Sequence, residues 1–366
     1  MRTRFSFIPL ILTLIAPLTA SHAADTTRFI DEAAISHVLD EAAKEGFEGV
    51  VGISDQNGTF FMRAYGDAVK GATPYSEDTL IDIASITKQF TGAAILKLKE
   101  RGKLKLDDRL DKYFNNLPDD KKAITLHQLL THTAGMPDLI GRDEEPLSRE
   151  AYLKRAFSTP LVHTPGTVHS YSNVGYSVLG AVIEIASGEP YETYLFENIW
   201  KPAGLFTTGY YRPDWRGYVA PQITEPVAGL LSQKQLLDEL NGDNWHLMGN
   251  GGLLSTVSDM LKWHRALLGT KILSAESKKL LFAPHVSEGQ EGFYYGYGWA
   301  VEPGYAGGPL IWHNGGSYFS RAEFWRFPES GFGIFIATHK RTVGPNVIAD
   351  SLAHVLSGIS PDPENN

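Results

Sequence analysis

Apolar and polar positions recur with two different periods along this chain, and the switch between them lays out its architecture. From Asp25 to Lys44 the apolar stripe Ile30, Ala34, Val38 and Ala42 predicts an amphipathic helix, closed by Gly46. Val50 to Ser54 and Thr59 to Tyr65 have the β-branched and aromatic content of strands, and Asp55-Gln56-Asn57-Gly58 between them holds the Asn-Gly pair of a tight hairpin. From about 103 to 285 the period is helical. Leu126 to Leu130, Arg149 to Phe157, Val174 to Ala186, Tyr191 to Trp200, Thr256 to Leu268 and Glu276 to Leu281 carry helical spacing or helix starts, with Pro118, Pro137, Pro165 and Pro221 in the loops. After Phe293 the strand pattern returns in Tyr295 to Val301, Leu310 to His313, Ala322 to Phe327 and Gly333 to Thr338, and Asn346 to Leu356 closes the chain as a helix. Strands at both ends around a helical middle predict one sheet built from both termini, with a mostly helical domain inserted. The boundaries read as 24–84 plus 286–366 for the sheet domain and 85–285 for the helical one.

The first residues have a different character. Arg2 and Arg4 precede an apolar run from Phe5 to Leu18, followed by Thr19-Ala20-Ser21-His22-Ala23. A basic start, a short apolar run and a small-x-small site predict a signal peptide over residues 1–23 and a periplasmic or secreted product. The run is too short to span a bilayer comfortably and contains Pro9 and Pro17. No stable membrane anchor is expected after its removal, and the formal charge then moves from −9 to −11. An acidic surface without a basic run argues against nucleic acid or an anionic membrane as partner. The chain has no cysteine, so disulfides, thiolate metal sites and cysteine nucleophiles are excluded.

The candidate chemistry begins at Ile83-Ala84-Ser85-Ile86-Thr87-Lys88, at the start of a helix whose Ala93, Ala94, Ile95 and Leu98 face inward. Residues three apart on a helix lie about one turn from each other, so the spacing sets an amine against a hydroxyl. A serine nucleophile needs such a base where no histidine serves. Ser85 is the only serine of the chain with a lysine three positions later. Two further clusters follow in order: Tyr171-Ser172-Asn173, and His313-Asn314-Gly315-Gly316 at the end of an apolar strand. Neither a Gly-x-Ser-x-Gly elbow nor a His-Glu-x-x-His metal motif occurs, and Gly249-Asn250-Gly251-Gly252 reads as a turn.

Ser-x-x-Lys, then Tyr-x-Asn, then a basic residue-x-Gly resembles the serine β-lactamase and penicillin-binding protein superfamily. Leu129-Leu130-Thr131-His132-Thr133-Ala134-Gly135-Met136-Pro137, Gly251-Gly252-Leu253-Leu254-Ser255-Thr256 and Tyr295-Gly296-Tyr297-Gly298-Trp299 are similar to its class C branch, which includes D-alanyl-D-alanine carboxypeptidases, family VIII esterases and D-aminopeptidases. The resemblance spans nearly all of the mature chain. It implies a β-lactamase-like α/β (α+β) fold, an antiparallel sheet flanked by helices plus the helical domain, with the active site at their junction.

It also implies a hydrolase without metal or cofactor that acts through an acyl-enzyme on a small-molecule or peptide substrate. Ser85 is then the nucleophile, Lys88 and Tyr171 the proton-handling groups with either as the base, and Asn173 the residue that fixes Lys88 and a substrate carbonyl. The backbone N–H groups of Ser85 and Gly316 form the oxyanion hole; His313, Asn314 and Gly315 line the site, and His132 is structural. Most β-lactamases of the superfamily have Lys-Thr-Gly where this chain has His-Asn-Gly. A mostly neutral histidine is a weaker carboxylate anchor than a lysine, which leans the reading away from β-lactam hydrolysis and leaves Arg321 to supply the charge. A penicillin-binding receptor with slow deacylation and a non-catalytic binding domain are the other two readings of the fold. Substrate and oligomeric state are not legible at this level.

Overall fold

The computed structural model describes residues 31–55, 57–211, 215, 217–305 and 308–357, with the backbone alone at 59 and 60; the export signal read over 1–23 lies outside them. Helix α1 (Glu32–Lys44) starts at Asp31, whose carboxylate accepts from the N–H groups of Ala33 and Ala34 at 3.1 and 3.0 Å. Its buried stripe is Ile35, Leu39 and Ala42 rather than Ala34 and Val38, which lie at its margin. The larger side chains take the interior because burial stabilises in proportion to apolar area.

The hairpin β1 (Gly49–Ser54) and β2 (Thr59–Tyr65) follows as the spacing predicts, with a register irregularity at Ile53/Ser54. Asp55 shapes its turn by accepting from the N–H groups of Asn57 and Gly58 at 2.7 and 2.8 Å. The two-residue strand β3 (Ile81–Asp82) leads into a 3-10 turn, Ala84–Ile86, and helix α2 (Thr87–Glu100). The helical segment includes α3 (Asn173–Ser187), β4 (Leu254–Ser255), which pairs with β3, and α4 (Val257–Leu268), and it ends with a short helix over Ala275–Leu281.

The strands that follow the helical segment are β5 (Val286–Ser287), β6 (Tyr294–Tyr295), β7 (Ala300–Glu302), β8 (Leu310–Gly316), β9 (Arg321–Phe327) and β10 (Phe332–Thr338), before the closing helix α5 (Pro345–Ser357). They join the first hairpin in one antiparallel sheet of order β2-β1-β10-β9-β8-β7-β6-β5. The amino-terminal hairpin thus pairs with the last strand, and the sheet is built from both ends of the chain.

The strand expected from Tyr295 to Val301 is two short strands instead. The intervening turn puts Gly298 at φ +81°, where a Cβ would sit 2.4 Å from the Lys88 carbonyl oxygen. Close approach to α2 breaks the strand there.

Every residue of β1 is buried because both faces of the sheet are covered. The outer face packs on α1 and α5 through Ile35, Leu39, Val51, Ile336, Ile348 and Leu352. On the inner face α4 lies so close that a Cβ at Gly52 would be 2.5 Å from Val257. The larger hydrophobic cluster runs from this face through α2 into the helical segment. Helix α2 is buried from Thr87 to Leu96, so Lys88 begins its course inside the core.

Candidate active site

Ser85 sits in the 3-10 turn that feeds α2, half-buried, directly after a residue of unusual conformation. Ala84 has φ +43°, which an L-residue adopts only at a cost. Its N–H is held by the Asp82 carboxylate at 2.8 Å. One turn on, the Lys88 ammonium nitrogen reaches Ser85 Oγ at 3.1 Å, Asn173 Oδ1 at 2.7 Å and the Asn250 carbonyl at 2.7 Å. The two short contacts are to atoms that only accept. A neutral amine has two N–H bonds for them, and its lone pair then faces the Ser85 hydroxyl.

Burial pushes the Lys88 pKa well below the usual lysine range; the Asp138 and Asp143 carboxylates pull the other way. The faces of Tyr171 and Tyr176, 4.7 and 5.6 Å from Nζ, also favour the charged form. With the side chain fully inside the protein, desolvation outweighs them.

Burial raises the Tyr171 phenol well above the usual range, against the opposing pull of the nearby Ser85 hydroxyl, so it is a proton-bearing phenol at neutral pH. Its ring lies on His132, centroids 4.3 Å apart. His132 is buried, and its Nδ1 accepts from the Ser172 N–H at 3.0 Å. That histidine supports Tyr171 from behind. Capping of α3 falls to Ser172, whose Oγ accepts from Gly175 N–H at 2.9 Å, while Asn173 is the first helical residue. Asn173 Nδ2 donates to Asp138 at 2.8 Å, which leaves its Oδ1 turned to Lys88.

The third motif is placed differently from expectation. His313 is buried, with Nδ1 2.6 Å from the Asn314 carbonyl and Nε2 2.9 Å from the Tyr295 hydroxyl. A carbonyl only accepts, so Nδ1 carries the proton and Nε2 accepts from Tyr295. Burial holds its pKa down to about 3. It is therefore neutral and engaged on both nitrogens, and its ring centroid is 6.4 Å from that of Tyr171.

Side chains alternate along β8, so Asn314 falls on the opposite face with Trp312, in a pocket against Pro345 and Asn346 that also takes in Gly316 and Arg321. Asn314 is thus not brought beside Ser85. Gly315 is: a Cβ there would lie 2.3 Å from the Ile83 carbonyl oxygen. At Gly316 a Cβ would meet nothing within 4 Å, so its lack of a side chain leaves open space in the cleft.

That cleft, roughly 390 Å³, is lined by Ser85, Asn173, Asn250, Gly316, Arg321 and Arg341, with Asp82 and Asp143 among its acids and Leu139, Leu247 and Tyr318 among its apolar walls. Burial raises Asp143 to about 6, and burial also raises Asp82 to about 6 against the hydrogen bonds it accepts. The sequence assigns no individual role to Asn250, Asp138, Asp82 or Asp143, although the loop from Asp138 to Leu147 reads as one that shapes specificity around the site. Asp138 directly follows a quoted family stretch, and Asn250 lies in the glycine-rich turn, so both carried a faint signal.

A hydroxyl backed by a buried amine, a phenol and a pocket beside them is the constellation of an acyl-transfer hydrolase. The Beta-lactamase family model matches residues 33–357, and the chain belongs to that family, whose members are serine hydrolases. Penicillin-binding protein 4* of Bacillus subtilis is 28% identical over 75% of this chain and 64% of its own length. The chain thus spans less than two thirds of that relative. The D-alanyl-D-alanine-carboxypeptidase/endopeptidase AmpH of Escherichia coli is 30% identical over 70% of this chain and 67% of its own. Among solved structures, the octameric penicillin-binding protein homologue from Pyrococcus abyssi superposes with a TM-score of 0.79 at 26% identity, covering 91% of this chain and 78% of its own.

Proposed function

We propose that this protein is an exported serine hydrolase that forms an acyl-enzyme at Ser85 on a small ester, an amide or a D-amino-acid peptide. The observation that carries the reading is the buried Lys88 amine against Ser85 Oγ at 3.1 Å, with its other two bonds given to acceptors. Neutral Lys88 takes the Ser85 proton as Oγ attacks the substrate carbonyl. The negative oxygen that develops lies between the backbone N–H groups of Ser85 and Gly316. Tyr171 passes its proton to the leaving group, and the same groups in reverse order activate the deacylating water. Asn173 holds Lys88 and offers its second amide proton to the acyl portion. The sheet part (24–84 with 286–366) supplies Asp82, Gly316 and Arg321, the helical part (85–285) supplies Asn173 and Asn250, and the cleft is read as their junction. Periplasmic or secreted placement rests on residues 1–23.

The test is intact-protein mass after brief exposure to a penicillin, then to a chromogenic ester panel, with Ser85→Ala alongside. The expected result is an adduct or turnover lost in the variant. A long-lived penicillin adduct favours a carboxypeptidase with slow deacylation; penicillin consumed without an adduct favours a β-lactamase. Neither adduct nor turnover with any probe, or activity retained by Ser85→Ala, overturns the reading.

With His313 neutral, a carboxylate-bearing substrate has no fixed charge at the third motif. The half-buried Arg321 on the cleft wall supplies one in this reading. Arg321→Ala is expected to raise KM about tenfold, or ~1.4 kcal/mol, for a substrate with a free carboxylate and to leave that of a neutral ester unchanged. An unchanged KM for the first substrate removes Arg321 from this role.

A further inference from the structure

Asp82 has no part in the chemistry above, yet it is a buried carboxylate at the cleft, 3% exposed. Three bonds converge on it from two directions. Its Oδ1 accepts from the Ala84 N–H at 2.8 Å, on the Ser85 side. Its Oδ2 accepts from the Ser317 hydroxyl at 2.6 Å, and its main-chain oxygen accepts from the Ser320 hydroxyl at 2.5 Å, both on the β8–β9 turn. Ser317 in turn organises that turn, since its Oγ accepts from the N–H groups of Phe319 and Ser320 at 3.0 and 3.2 Å. Committing its proton to Asp82 leaves its lone pairs to the backbone.

We propose that Asp82 is the positioning residue that sets the distance between the two oxyanion-hole donors, by tying the peptide before Ser85 and the turn after Gly316 to one carboxyl group. The inference rests on the hydrolase reading given above. Ala84, at φ +43°, immediately precedes Ser85, and Ser317 immediately follows Gly316. One side chain therefore reaches the residue adjacent to each donor. Gly315 seats β8 against the Ile83 carbonyl and so fixes the closest approach, while Asp82 prevents the two segments from spreading. An ionised carboxyl suits the task because both of its oxygens accept, whereas an amide offers one acceptor. A donor displaced by about an ångström loses most of its stabilisation of the developing charge.

The experiment compares Asp82→Asn, Ser317→Ala, their double variant and Ser317→Thr by the pre-steady-state burst with p-nitrophenyl acetate, with urea unfolding on each. Asp82→Asn and Ser317→Ala are expected to slow acylation about 10–100-fold with KM within twofold of wild type. The double variant should be no slower than Asp82→Asn, because both break one link. Ser317→Thr, which keeps the hydroxyl, should return acylation to within about threefold. Acylation within twofold of wild type in both single variants, or losses that simply multiply in the double, overturns the proposal. So does a change confined to unfolding midpoint or KM. If Asp82→Asn does not fold, Ser317→Ala and Ser317→Thr decide it. Retained activity in Ser85→Ala would instead strike the hydrolase reading itself.

Discussion

Replacing Lys88 with methionine is expected to lower kcat/KM by about 10²–10⁴, the range spanned by loss of a positioned general base. The side chain is of similar length and unbranched, so the packing inside α2 is retained while the amine is lost. Asn173 Oδ1 and the Asn250 carbonyl lose their donor, at about 1–3 kcal/mol each, against the desolvation that a buried amine no longer costs. Adding Ser85→Ala to Lys88→Met should reduce the rate little further, because nucleophile and base act as one unit. Lys88→Arg should not rescue, since guanidinium stays protonated. The sign of the pH dependence follows from the same assignment. The protonated amine is inactive, so kcat/KM of the wild type falls as pH drops through the Lys88 pKa and levels off above it, and burial places that limb well below 10.5. Stopped-flow acylation across pH 5–10 measures it. Lys88→Met at more than a tenth of wild-type activity would transfer the base role elsewhere.

Tyr171→Phe carries the second large effect, and its size should depend on the leaving group. The ring keeps its place on His132 at 4.3 Å and only the hydroxyl is removed. As the phenol is held in its protonated form, its use is to donate rather than to abstract. An amine leaving group needs that proton, so amide turnover should fall about 10³-fold. A p-nitrophenolate leaves as an anion, so acylation by its esters should fall no more than about tenfold. Parallel kcat/KM measurements on one acyl group with both leaving groups separate these outcomes. Equal losses on both would make Tyr171 the base and return Lys88 to a merely electrostatic role.

By itself the sequence determined the local and the serial. The hairpin after α1, the sheet assembled from both ends and the Ser85–Lys88 turn follow from periods of two and 3.6 and from turn chemistry, which are properties of neighbouring residues. The order of three motifs was also legible, and with it the family. What only the tertiary structure decided is which atoms meet. Lys88 takes its partners 85 and 162 residues away, and Asp82 meets Ser317 across 235. His313 and Asn314 sit in the expected motif, yet one is turned to Tyr295 and the other to the far face of the sheet. The strand expected through Gly296 and Gly298 yields to α2 pressing on Gly298. In each case the outcome depends on packing between elements distant in sequence. Local pattern specifies which side of a strand or helix is apolar; close packing against another element selects the rotamer, the bend and the hydrogen-bond partner.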